Sequence, residues 1–87
     1  MHSFEYSDKL KKILKKLFKK DKRRYEALIG KIEEVINSGD VEHYKNLRHK
    51  LSDRKRVQIG HFVLVFRYDK KNNKILFLDY DHHDKIY

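Results

Sequence analysis

The stretch from Ile75 to Tyr87 constrains the fold more than any other. Ile75, Leu76, Phe77, Leu78 and Tyr80 are residue types that a buried strand favours. A strand this apolar belongs inside a sheet rather than at its edge. The apolar run then gives way to Asp79, Asp81, His82, His83 and Asp84, five acids and imidazoles within six positions. A rigid strand end holds such groups more accurately than a loop does. Ile86 and Tyr87 follow, and the pair is expected to anchor the segment.

The rest of the chain supplies that strand with partners. Phe4 and Tyr6 alternate with Glu5, which suggests a brief opening strand over 2–6. Ser7 suits an N-cap, with Asp8 in the first turn. Leu10, Ile13, Leu14, Leu17 and Phe18 then form one stripe at helical spacing, from Asp8 to about Lys20. Lysines occupy the positions between and make the opposite face almost wholly basic. Asp21 can cap a second helix, in which Tyr25, Leu28, Ile29, Ile32, Val35 and Ile36 repeat the spacing and Asn37-Ser38-Gly39 supplies the stop. Gly30 inside that helix predicts a close crossing with the first. So short a junction predicts an antiparallel hairpin.

Residues 40–53 read as a connector pinned by Tyr44, Leu47 and Leu51. Arg54 to Ile59 alternates, with Val57 and Ile59 pointing one way and Arg56 and Gln58 the other. Gly60 makes a turn. His61 to Tyr68 is apolar on both faces and reads as a central strand. Asn72-Asn73 sits at the tip of a hairpin loop before the last strand, Lys74 to Tyr80. The predicted architecture is α+β, one domain over 1–87. A helical hairpin packs on one face of a small antiparallel sheet in the order β-α-α-β-β-β, and the other face is left partly open.

A chain of 87 residues builds one modest core. The absence of Cys excludes disulfides and thiolate metal sites. No apolar run is long enough to span a bilayer and no signal-peptide pattern is present, so a cytoplasmic protein without a membrane partner is expected. The formal net charge of +9 favours a polyanionic partner, with nucleic acid the first expectation. An inert, solvated basic surface is the plainer alternative.

With the helices over the Val57 and Ile59 face, Arg56 and Gln58 lie on the open face near His61 and the C-terminal cluster. That combination suits metal-independent cleavage of RNA. The RNA's own 2′-hydroxyl is the nucleophile, one side chain takes its proton, another protonates the leaving 5′-oxygen, and a cation holds the charge growing on phosphorus. Histidine, with an ordinary pKa of about 6.5, is the natural proton carrier. Arginine offers a fork that matches phosphate. His82 and His83 are adjacent, so on a strand they face opposite ways and only one belongs to a site. The cluster matches no known metal-ligand spacing, and neither a metal nor another cofactor is expected.

These features together resemble the RelE/ParE superfamily of bacterial and archaeal toxins. The echoes are Leu47-Arg48 leading to Leu51, Arg56-Val57-Gln58-Ile59-Gly60, Phe62-Val63-Leu64-Val65-Phe66, and the ending His83-Asp84-Lys85-Ile86-Tyr87. The resemblance spans nearly the whole chain. It implies a RelE-like fold and an endoribonuclease that cuts messenger RNA in the ribosomal A site, neutralised by a cognate acidic antitoxin of the RelB kind. His83 falls at the catalytic His of the YafQ-like branch, Tyr87 at a functional Tyr of RelE-like members, and Arg56 at a basic residue of the second sheet strand. Val63 and Asp81 stand where many members carry Arg, which favours a histidine-based route with His61, His82 or Lys55 as substitutes.

The expected catalytic set is therefore His83, Tyr87 and Arg56. The expected RNA-contacting set is Lys11, Lys12, Lys15 and Lys16 on the first helix, Arg48 and Lys50 in the connector, and Arg54, Lys55, Gln58, His61 and His82 near the sheet. Two other functions fit the same fold: a non-enzymatic gyrase inhibitor of the ParE kind, and a basic nucleic-acid-binding module. The clustered histidines favour the enzyme, because gyrase poisoning needs no acid or base.

Overall fold

The computed structural model describes residues 2–46 and 53–86. A strand, β1 (Ser3–Tyr6), leads into helices α1 (Asp8–Lys20) and α2 (Lys22–Ile36). A 3-10 turn (Val41–His43) follows, then β2 (Lys55–Ile59), β3 (Phe62–Asp69), β4 (Lys74–His82) and a last helical turn, α3 (His83–Ile86).

Local chemistry sets these boundaries. The Ser7 hydroxyl accepts from the Leu10 amide at 3.0 Å and donates to the Leu78 carbonyl at 2.6 Å, so the cap of α1 is also tied to β4. Asp21 both ends α1, through its amide to the Leu17 carbonyl at 2.8 Å, and caps α2 through the Arg24 amide at 3.2 Å. Such a cap is worth about 1 kcal/mol. Gly30 does not mark a helix crossing: it is exposed, and a methyl group added there would meet nothing within 4 Å. Gly60, at φ 61°, makes the tight turn between β2 and β3. Asn73 takes φ 50° in the β3–β4 loop, a conformation asparagine tolerates better than most residues.

The sheet order is β1-β4-β3-β2. β2, β3 and β4 form the expected antiparallel meander, but β1 runs parallel to β4, so the sheet is mixed. The helical hairpin and connector carry the chain across the sheet, and β4 returns beside β1 in the same direction. β4 is thus hydrogen-bonded on both sides, as its apolar sequence requires.

A bulge interrupts the β3–β4 ladder. Val65 lies opposite Asp79 and Phe66 opposite Phe77, which leaves Leu78 without an opposite residue. The extra residue resets the alternation. Phe77 and Tyr80, three apart, both join the helix-side core with Leu10, Leu28, Ile32, Leu64 and Phe66. Leu78 packs with Val63 and Val65 in a smaller cluster, and Ile86 of α3 lies against it. Ile86 is the anchor expected from the sequence, while Tyr87 lies outside the described residues. No helix among the described residues is long and apolar enough to cross a membrane.

Candidate active site

β4 extends to His82, two residues beyond the sequence expectation, and the chain then turns at once into α3. The His83 amide donates to the His61 carbonyl at 3.0 Å, which ties the end of β4 to the turn before β3. Three imidazoles meet there. The His61 and His82 rings are stacked at 6.2 Å with 9° between their planes, and those of His82 and His83 lie 5.3 Å apart. Phe62 meets His82 edge-on at 5.4 Å.

The expectation that His82 and His83 face opposite ways is therefore corrected. It assumed that both sit on a strand. His83 begins a helical turn, strand alternation no longer applies, and the two rings turn toward one carboxylate. Asp84 reaches Nδ1 of His83 at 3.2 Å and Nδ1 of His82 at 3.5 Å. The side chains of His82 and His83 are 40% and 45% exposed, so both remain open to a substrate. One ligand atom from each of His82, His83 and Asp84 lies within 4.8 Å of the others. The Asp84 amide also donates to His82 Nδ1 at 3.4 Å, so Asp84 holds both rings in place, as an orienting carboxylate does beside a proton-transferring imidazole.

Arg56 lies opposite Val65 in the β2–β3 ladder, which places it on the sheet face where α3 packs. Its amide donates to the Lys45 carbonyl at 2.9 Å, so the connector holds its backbone. Gln58, opposite Val63, is exposed and donates from Nε2 to the Gly60 carbonyl at 2.8 Å. Arg54 is half-buried at the entry to β2. Lys55 is half-buried and bonded to the connector. Its ammonium donates to the carbonyls of Glu42 and Tyr44 at 3.3 and 3.1 Å and to Asn46 Oδ1 at 3.1 Å. These bonds strap the connector to the sheet. Lys11, Lys12, Lys15 and Lys16 are exposed along α1 as expected. Arg48, Lys50 and Tyr87 lie outside the described residues.

Sequence reasoning missed one array. Arg24, in the first turn of α2, places its guanidinium 3.9 Å from the Phe62 ring centre and donates from Nε to the Tyr80 hydroxyl at 3.3 Å. The Phe62 and Tyr80 rings are themselves stacked at 5.0 Å. No local pattern links a basic helix start to a residue 56 positions later; the hint was a hydroxyl among the apolar residues of β4 that face the helices.

Helices packed over a four-stranded mixed sheet make this an α+β protein, with a histidine cluster where β4 ends. Over 94% of the chain it superposes on a chain of the toxin–antitoxin complex RelBE2 from Mycobacterium tuberculosis, covering 98% of that chain, with a TM-score of 0.77 at 20% identity. The isolated E. coli RelE toxin gives a TM-score of 0.68 at 19% identity, covering 94% of this chain and 84% of that one. In sequence, a Methanocaldococcus jannaschii protein named "Putative toxin RelE4" is 49% identical over 100% of this chain and 92% of its own length. No protein-family model matches the chain. The chain belongs to the RelE superfamily of toxins.

Proposed function

We propose that this toxin is a ribosome-dependent endoribonuclease that cuts messenger RNA in the A site. The observation that carries the reading is the His82–His83–Asp84 cluster, fixed at the end of β4 beside the face that bears Arg56. His83 takes the 2′-hydroxyl proton or delivers one to the 5′-oxygen, with His82 as its partner and Asp84 orienting both. Attack of the 2′-oxygen on phosphorus breaks the bond to the 5′-oxygen and leaves a cyclic phosphate and a 5′-hydroxyl. Arg56 holds the phosphoryl oxygens, and Tyr87 orients or stacks on the substrate. The lysines of α1 grip ribosomal RNA by charge.

The test is single-turnover cleavage of a defined message on programmed ribosomes by wild type and His83→Gln. Loss of cleavage with ribosome binding retained supports the reading; unchanged cleavage ends it. An acidic antitoxin is the proposed partner, since the related RelBE2 structure is of a toxin–antitoxin complex and this chain carries +9. A small acidic protein encoded beside this chain, co-expressed with it, should yield one complex at low salt. Recovery of the toxin alone would refute that partner.

A further inference from the structure

On the helix side of the same strand end, a cleft of roughly 330 Å³ opens between α1, α2 and the sheet. Lys9, Lys16, Arg24, Phe62, Tyr80 and Asp81 line it. Three cations face one carboxylate. Lys9 is engaged by Asp79 at 2.9 Å, so Arg24 and Lys16 face the single Asp81 carboxylate and leave the cleft net positive. Arg24 lies over the Phe62 ring, 5.5 Å from the Tyr80 ring centre, and donates from Nε to the Tyr80 hydroxyl. Among the described residues its two terminal amino groups have no partner. Stacking and the Tyr80 bond have already fixed the guanidinium, so little entropy remains to be lost when it forks onto an anion.

Two continuities say what the anion is. Lys16 also borders a shallow hollow on α1 with Lys12, Lys15, Lys19 and Lys20, so the cleft opens onto a continuous basic track. Such a track fits a polyanion rather than a single phosphate. At its other end the cleft adjoins the histidine cluster through Phe62, whose ring touches both Arg24 and His82. We propose that this cleft binds the sugar–phosphate backbone of single-stranded RNA next to the cleaved linkage, with Arg24 forking onto one phosphate. The role next to a cleaved linkage rests on the ribonuclease reading; the binding itself does not.

The probe is a fluorescent hexanucleotide of fully 2′-O-methylated RNA, titrated across a range of salt. It cannot be cut, so a failure of the ribonuclease reading leaves the result intact. Arg24→Gln should weaken binding roughly tenfold, the worth of one charged hydrogen-bonded contact. It should also lower the slope of log affinity against log salt by about 0.7, one phosphate on a single strand. Arg24→Lys should keep the slope and lose most of the affinity, because the charge stays and the fork is lost. Asp81→Asn should tighten binding. A purely structural Arg24 would shift the thermal midpoint and leave the slope unchanged, and an unchanged slope in Arg24→Gln overturns the proposal. So does a result in which an acidic peptide, but not the RNA, loses affinity on that substitution, since the cleft would then be a protein-binding site.

Discussion

Asp84 stands 3.2 Å from the Nδ1 atom of His83, and the same carboxylate lies 3.5 Å from His82. One acid thus serves two imidazoles. His83→Gln should lower single-turnover cleavage by ~10²–10⁴-fold, the usual worth of a positioned proton carrier. His82→Gln should also fall well below wild type, and the double variant should lose little more than the worse single one, because groups that act as a unit are not additive. Cleavage should survive a chelator when the ribosomes are kept intact by polyamines. Wild-type rates in both single variants would exclude the cluster from the chemistry.

The lysines of α1 should give affinity without chemistry. With Lys11, Lys12, Lys15 and Lys16 changed to Gln, the salt dependence of ribosome binding should flatten. The cleavage rate at saturating toxin should hold. A steep slope in this variant would place the contact elsewhere.

Gly30→Ala should stabilise the fold by about 1 kcal/mol, the helix-propensity difference between the two residues. The position is exposed and a methyl group meets nothing there. Chemical denaturation should show a higher midpoint at unchanged slope. A loss of stability would mean that another chain or RNA approaches this face.

Burial pushes the Tyr6 phenol above the ordinary tyrosine range, with Tyr25 and Glu33 adding to the effect. An acid whose folded pKa is raised contributes stability that is complete below its unfolded pKa and is lost as pH rises through the folded value. Stability should therefore fall on the alkaline side of about pH 10, the ordinary tyrosine value. Tyr6→Phe should flatten that fall. Equal alkaline slopes for the two proteins would assign the effect to other groups.

Ile86→Ala should loosen α3 from Val63, Val65 and Leu78, at a cost of about 1–2 kcal/mol for a half-buried side chain. Cleavage should fall further than stability explains, because His83 sits on the same turn. Parallel losses in thermal midpoint and rate would reduce Ile86 to packing alone.

The helices and the meander were legible because each stripe repeats without interruption. Leu10 to Phe18 and Tyr25 to Ile36 admit only one helical face, and Arg56-Val57-Gln58-Ile59 only one alternation. Three things were not legible. Ile75 to Leu78 is continuously apolar, so nothing local says that Leu78 is skipped by a bulge and turned from the helices. The direction of β1 depends on where β4 returns, a property of the whole path. Alternation at His82 and His83 fails because the strand ends between them, and neither histidine is a turn signal.

β4 is the last strand in the sequence, yet it lies between β1 and β3. A ribosome delivers it after every other strand. Until then β1 has no neighbour to bond, the Ser7 hydroxyl has no Leu78 carbonyl to meet, and Ile75, Phe77 and Tyr80 are missing from the core. The histidine cluster emerges with the strand that closes the sheet. A nascent chain stopped before Lys74 therefore lacks the strand that joins β1 to β3, and a protease should cut it as readily as an unfolded peptide.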